Sequence, residues 1–176
     1  MAGLPGTGKS TLAHEILRVL PGVCLDKDRV RPSLFPETEI DYSRRQDDVC
    51  MEAMLLAAGY LFEKDPSRLI ILDGRTFTRR RERGRVIEWA GSIGIAWLMI
   101  ECVCPDEMAR ERLERDAGIH PARNRNYALY LSAKGGAEPI GEPHLVIDTS
   151  LPLDQSTRRC LDAIRGAQAK FSTGRP

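Results

Sequence analysis

Aromatic residues are scarce in this 176-residue chain, at 6%, and a surface built to stack nucleic-acid bases needs more of them. Neither sign of charge is in excess. Twenty-six Lys and Arg face 25 Asp and Glu, for a net charge of +1 and a sequence pI of about 7.7, so no bulk field pulls the chain toward a polynucleotide or an anionic membrane. No apolar run approaches the roughly 18 residues of a membrane span, and no signal peptide is recognisable, so no membrane partner is expected. The five cysteines, Cys24, Cys50, Cys102, Cys104 and Cys160, are odd in number and scattered through apolar segments, which suits a reducing cytoplasm better than a disulfide framework. Cys102 and Cys104 have C-x-C spacing, but no second Cys or His cluster completes a zinc site, and they read as small core or strand-end residues. Repeats, low-complexity segments and linkers are lacking too. The 42% of hydrophobic residues are therefore expected to fill one domain over residues 1–170, with 171–176 as a frayed tail, in a monomer or weak dimer.

What is present begins at the third residue. Gly3-Leu4-Pro5-Gly6-Thr7-Gly8-Lys9-Ser10 spells the phosphate-binding pattern G-x-x-x-x-G-K-[ST]. Glycines let successive backbone N–H groups turn inward around phosphates, Lys9 carries a point charge to the β/γ oxygens, and the Ser10 hydroxyl ligates Mg²⁺. A helix follows at once, so its positive end also faces the anion. The expected nucleotide-binding residues are Gly3, Pro5, Gly6, Thr7, Gly8, Lys9, Ser10 and Thr11. Such a loop should hang from the end of a buried strand, yet only Met1 and Ala2 precede it. The first strand is expected to be missing, at a cost of about 1.5 to 3 kcal/mol for each apolar side chain left out. The expectation is that the natural product starts upstream and that Met1 is an internal methionine at the end of the true first strand.

Downstream, Leu12, Ala13, Ile16, Leu17 and Leu20 repeat at helical spacing until Pro21-Gly22, and a short strand is expected over Gly22–Leu25. A polar, proline-punctuated stretch from Asp26 to Asp41 leads to a long helix over Ser43–Lys64. Leu69–Asp73 is a continuous apolar run ending in an acid, as a parallel strand covered on both faces should be. Thr78 is placed to cap a helix through Ala90, Ile95–Cys102 reads as the next strand, and Pro105-Asp106 opens an Arg-rich helix to Asp116. An irregular segment with His120, Pro121, Arg123 and Arg125 precedes a short helix over Tyr127–Ala133, a last strand over Leu145–Asp148 and a last helix over Leu153–Ala169. Strands alternating with helices predict an α/β fold with a parallel sheet.

Asp73, followed by Gly74, fits the second acidic position of P-loop enzymes, where the carboxylate faces Mg²⁺; the plainer reading is a cap for the following turn. Just past the second strand, Leu25-Asp26-Lys27-Asp28-Arg29-Val30-Arg31 contains D-x-x-R. P-loop, strand, D-x-x-R, long helix, apolar strand ending in Asp, then an Arg-bearing segment: over about residues 3–165 this order resembles the small P-loop kinases, a group with polynucleotide 5′-hydroxyl kinases and zeta-toxin-like sugar-nucleotide kinases. The resemblance implies a P-loop NTPase fold of nucleoside-kinase-like topology, ATP with Mg²⁺, and a lid over about residues 110–137. It assigns Asp28 to accept the acceptor hydroxyl's proton and Arg31 to orient the acceptor. Asp26 is the rival carboxylate, and a helix cap with a surface Arg is the plainer reading of the pair. Among Arg110, Arg112, Arg115, Arg123 and Arg125, the pair Arg112 and Arg115 best matches the group's R-x-x-R, though an Arg paired with a helix Glu reads the same. The resemblance places Thr149 on the adenine-side loop and makes it, with Arg115, a nucleotide contact, though a helix-start turn reads the same.

Arg75, Arg79, Arg80, Arg81, Arg83 and Arg85 form the densest charge run, either a grip for a phosphorylated acceptor or nucleic acid, or a solvated helix face. Arg75, beside Asp73, is the exception placed near the metal site. The activity implied is transfer of the ATP γ-phosphate to a hydroxyl of a small, anionic acceptor. A polynucleotide 5′-hydroxyl kinase and a nucleotide-dependent switch without acceptor transfer are the alternatives, the first disfavoured by the charge balance.

Overall fold

The computed structural model describes residues 1–118 and 122–173; His120 and Pro121 lie outside them. In chain order the elements are α1 (Lys9–Val19), β1 (Gly22–Asp26), α2 (Lys27–Leu34), a single 3₁₀ turn (Glu37–Glu39), α3 (Arg44–Lys64), β2 (Leu69–Asp73), α4 (Arg80–Ser92), β3 (Met99–Val103), α5 (Asp106–Arg115), α6 (Tyr127–Gly135), β4 (His144–Asp148) and α7 (Leu153–Thr173). The α/β alternation expected from the sequence is present. The last helix runs on past Ala169 to Thr173.

Two parallel strand pairs form the central layer. β1 lies beside β2 with Gly22 opposite Leu69 and Asp26 opposite Asp73, and β3 lies beside β4 with Met99 opposite His144 and Val103 opposite Asp148. Apolar side chains cover both faces, as parallel strands require. On one face Leu12, Ala13 and Ile16 of α1 and Cys160 and Ile164 of α7 pack against Ile71, Ile100 and Ile147. On the other, Met51 and Met54 of α3 join Phe77 and Ala2.

No ladder joins β2 to β3 among the described residues. Instead the first three residues bridge their ends. The Met1 nitrogen donates to Leu72 O at 2.9 Å, Ala2 N to Ile100 O at 2.7 Å, Cys102 N to Ala2 O at 2.9 Å, and Gly3 N to Thr76 O at 2.9 Å. Ala2 thus makes one parallel bridge, to Glu101, where a whole strand was expected to be missing. Behind it, toward Leu69 and Leu98, an apolar cavity of about 440 Å³ separates the two pairs.

Three local expectations are corrected. The polar, proline-punctuated stretch Asp26–Asp41, given no helix from the sequence, holds one: α2 starts where the Asp26 side chain accepts from Asp28 N at 2.9 Å, and Pro32 sits inside it. Thr78 does not cap α4. Arg79 is the N-cap residue without a side-chain bond, and Glu138 supplies the partner instead, accepting from Arg80 N at 2.6 Å. β3 begins at Met99 rather than Ile95, because Gly94 turns with φ 67° and Ile95 N bonds back to Ala90 O.

The cavity between β2 and β3 generates a stability prediction. A five-residue Val/Ile-rich segment fused before Met1 should enter it and pair with both edges. At about 1.5 to 3 kcal/mol per buried side chain and about 2 to 4 °C per kcal/mol, the melting temperature should rise by about 10 °C or more. An unchanged melting curve would show that the gap does not accept a strand.

Candidate active site

Four elements meet at the carboxyl ends of the strands, and the P-loop is the first. Gly3 must be glycine: its φ is 127° and a Cβ there would lie 2.3 Å from Cys102 O. The loop closes on itself through Thr7 Oγ1, which donates to Leu4 O at 2.8 Å, and Lys9 Nζ, which donates to the same oxygen at 2.7 Å. Pro5 and Gly6 are buried beside it, and Thr11 is exposed on the first turn of α1. Gly8, the N-cap of α1, offers no side-chain bond, so the first N–H groups of the helix are free for an anion. Burial holds the Lys9 ammonium below the ordinary lysine range, with the charge of Asp73 opposing the shift.

The second part comes from strand register. Pairing β1 with β2 sets Asp26 opposite Asp73. Asp73 is 1% exposed and its Oδ1 is buried without a hydrogen-bond partner. Gly74 turns away with φ 84°, and a Cβ on it would strike Asp26 Oδ1 at 2.7 Å. Asp26 therefore caps α2 from inside the strand edge. Burial, reinforced by Asp73, pushes its carboxyl above the ordinary range despite the bond from Asp28 N.

One residue into α2 the direction changes. Asp28 lines a cavity of about 280 Å³ shared with Lys9 and Ser10, whereas Asp26 is not in its wall. Lys27 Nζ lies 3.1 Å from Asp28 Oδ1 and 2.6 Å from Asp47 Oδ1 of α3. Arg31, 2% exposed, also binds Asp47, with Nη1 3.9 Å from Asp28 Oδ1 and its guanidinium 4.8 Å from the centre of the Tyr42 ring.

The arginines of the expected lid divide. Arg112 leaves the cavity and binds Thr149, through Nη1 to Oγ1 at 3.0 Å and Nη2 to the carbonyl at 2.7 Å, while Thr149 Oγ1 donates to Thr7 O at 2.9 Å. Both therefore stand beside Gly8, on the outer side of the P-loop. Arg115 is not brought to the site. It ends α5, its side chain is 74% exposed, and it turns to Asp116 at 3.3 Å. Arg125 takes a place in the cavity wall instead. Arg110 pairs with Glu114 at 2.8 Å and Arg123 with Glu37 at 2.6 Å, both at the surface.

The AAA domain family matches residues 1–123, more than half of the chain. The chain belongs to that family. Its fold is that of small P-loop kinases of known structure. APS kinase from Mycobacterium tuberculosis, solved with AMPPNP and APS, superposes with a TM-score of 0.67 at 18% identity over 93% of this chain and 94% of that one. A gluconokinase from Sinorhizobium meliloti gives 0.66 at 21% identity over 99% and 95%, and a sugar kinase from Janibacter gives 0.66 at 20% over 96% and 94%. Among curated proteins, none matches the sequence.

In this AAA-domain chain no group of three or more His, Cys, Asp or Glu side chains among the described residues is arranged to hold a metal by itself. Mg²⁺ does not need one, since it takes one or two protein oxygens and completes its shell with water and substrate phosphates. The unpartnered Asp73 Oδ1 fits that chemistry, as does the hydroxyl of Ser10 in the cavity wall.

The Arg75–Arg85 run is neither one groove nor one solvated face. Arg75 and Arg79 line the cavity, Arg80 and Arg81 are exposed, and Arg85 pairs with Glu52. Arg83 is 1% exposed and staples α4 to the segment before β4, binding Glu142 Oε2 at 3.0 Å, Pro139 O at 3.0 Å and Phe77 O at 3.2 Å. Lys27, Tyr42 and Asp47 were not singled out by motif, because each reaches the cavity only through tertiary packing, and Arg125 was one of the five lid candidates but not of the preferred pair.

Two predictions follow from this geometry. Arg83→Ala should cost about 3 kcal/mol in denaturant unfolding, whereas exposed Arg81→Ala should stay within about 0.5 kcal/mol; equal losses would remove the staple. Asp26→Asn keeps a capping side chain but deletes a disfavoured charge. A carboxyl raised in the fold penalises the folded state above its folded pKa, and the penalty vanishes once it is protonated in both states, below the ordinary aspartate value of 3.8. In metal-free buffer the variant should therefore melt above the parent near about pH 7, with the gap closing as the pH falls toward about 4. A gap that ignores pH would overturn this account.

Proposed function

We propose that the chain is an ATP- and Mg²⁺-dependent phosphotransferase that moves the γ-phosphate to a hydroxyl of a small acceptor. The observation that carries this reading is the single cavity that joins the P-loop residues Lys9 and Ser10 to the Asp28 carboxylate. A nucleotide switch has no use for a carboxylate held in that position, and the kinases that share the fold support the same reading. The dispersal of the Arg75–Arg85 run leaves no basic groove there for a polynucleotide.

In this mechanism the loop N–H groups, the N-terminus of α1 and Lys9 hold the β- and γ-phosphates. Ser10 and Asp73 hold Mg²⁺, which when bound neutralises phosphate charge. The acceptor hydroxyl enters the cavity against Asp28. As its oxygen forms the new bond to the γ-phosphorus, the bond to the ADP oxygen breaks and the hydroxyl proton passes to Asp28. Lys27 and Arg31, clamped by Asp47, hold the Asp28 carboxylate in place. Arg125 adds positive charge from the lid side of the transferred group, and Arg112 braces the P-loop through Thr149.

The test is γ-phosphate transfer from labelled ATP to pooled sugars, sugar acids, nucleosides and amino alcohols. Lys9→Ala should lower turnover by about 10²- to 10³-fold with the fold intact. Asp28→Asn should lower it by about 10²- to 10⁴-fold while nucleotide affinity, measured by calorimetry, stays within about twofold. An Asp28→Asn protein as active as its parent would sink the proposal and leave the switch.

A further inference from the structure

The cavity carries more positive charge than the phosphotransfer reading uses. Seven Lys and Arg side chains line it against three carboxylates, Asp28, Asp47 and Glu82, in a chain whose net charge is only +1. Lys9 is committed to the nucleotide, and Lys27 and Arg31 to Asp47. Arg75 is the outlier. It is 7% exposed and follows the Gly74 turn at the end of β2. Its Nη2 lies 2.9 Å from Asp48 Oδ1 and 3.0 Å from Glu82 Oε1, so one nitrogen serves both carboxylates. Its Nε and Nη1 are buried with no hydrogen-bond partner. An arginine placed only to bridge two helices needs the first nitrogen alone, and each buried donor left unsatisfied costs about 1 to 3 kcal/mol.

Position decides what those donors meet. Asp47 and Asp48 are adjacent on α3; the first holds Arg31 and the second holds Arg75. Both guanidinium groups are thereby tied to the same turn of α3, the Arg31 one within 3.9 Å of Asp28. Arg31 Nε is likewise buried and unpartnered. Two sheltered arginines with spare donors on the acceptor side of Asp28 form a site for an anion other than the transferred phosphate.

We propose that the acceptor carries an anionic group, a carboxylate or a phosphate, apart from the hydroxyl that is phosphorylated, and that Arg75 is the side chain that binds it, with Arg31 as second contact. The proposal rests on the phosphotransfer reading for the word acceptor, but the anion site stands or falls separately. Planar, multiply donating recognition explains why the position holds Arg; a Lys would answer the Asp48 and Glu82 charges but lack the spare donors.

The experiment titrates sodium phosphate and, separately, sodium acetate into the full chain by calorimetry, in the parent, Lys9→Ala and Arg75→Lys. One of the two anions should bind at a site that survives Lys9→Ala, which takes the side-chain cation from the P-loop and weakens phosphate binding there, and that weakens at least tenfold in Arg75→Lys. Phosphate binding there identifies a phosphorylated acceptor and acetate binding a carboxylated one. In the unsubstituted chain the Arg75 Nε–H resonance should shift along the same titration curve, which keeps the test independent of the variant's folding. No anion site after Lys9→Ala, an unchanged affinity in Arg75→Lys, or a fixed Arg75 resonance would each overturn the proposal. Failure of phosphotransfer shows instead in Asp28→Asn activity and leaves these titrations unaffected.

Discussion

The parallel register that sets Asp26 opposite Asp73 governs the rest of the candidate site. In a parallel pair both strands end on the same side, so two acidic residues that are 47 positions apart in sequence arrive at one edge together. Placing two carboxylates side by side is unfavourable unless their roles differ. The fold separates them: Asp26 turns back to cap α2 and has a raised pKa, while Asp73 keeps an unpartnered oxygen at the foot of the P-loop. A shift of one residue in this pairing would exchange the faces and take the cap from α2. Without α2 neither Asp28 nor Arg31 reaches the cavity.

Charge is then balanced locally rather than over the whole molecule. Lys27 and Arg31 are both less than a tenth exposed, and two such cations side by side would repel and pay a large desolvation cost alone. Asp47 is bound to both, and its neighbour Asp48 does the same for Arg75. One turn of α3 thus orders three cations in the cavity wall, two of them beside Asp28, and still leaves the cavity with more positive than negative side chains. That surplus is hidden in the net charge of +1, because acidic residues outside the cavity wall offset it.

What could be read from the sequence follows from the range of the interactions involved. The P-loop, the strand ending in Asp73 and the amphipathic α1 and α3 are set by patterns within a dozen residues, and each is present in the structure. The start of α2 was readable only as a capping Asp, since Pro32 punctuates a segment that is in fact helical. Arg83 and Arg115 show the limit. Arg83 sits in a run that looks solvated, but partners 56 and 59 residues away bury it. Arg115 matches a spacing, yet the last residue of α5 has a neighbouring Asp116 and open solvent to choose from. Asp47 carries no motif at all, and its importance appears only when α2 packs on α3.

The split sheet raises the question of how the site keeps its geometry. The four backbone bonds made by Met1, Ala2 and Gly3 reach Leu72 near the carboxyl end of β2, Thr76 just beyond it, and the middle of β3 from Ile100 to Cys102. The apolar gap lies behind them, toward Leu69 and Leu98, at the amino ends. Every residue assigned to phosphate, metal or acceptor is therefore on the zipped side. On the other side the loop is anchored by α1, whose Leu12, Ala13 and Ile16 are fully buried in the main core. Opening of the gap would begin away from both groups, since Lys9 is tied within the loop to Leu4 O and Asp73 is carried by the backbone ladder between β1 and β2.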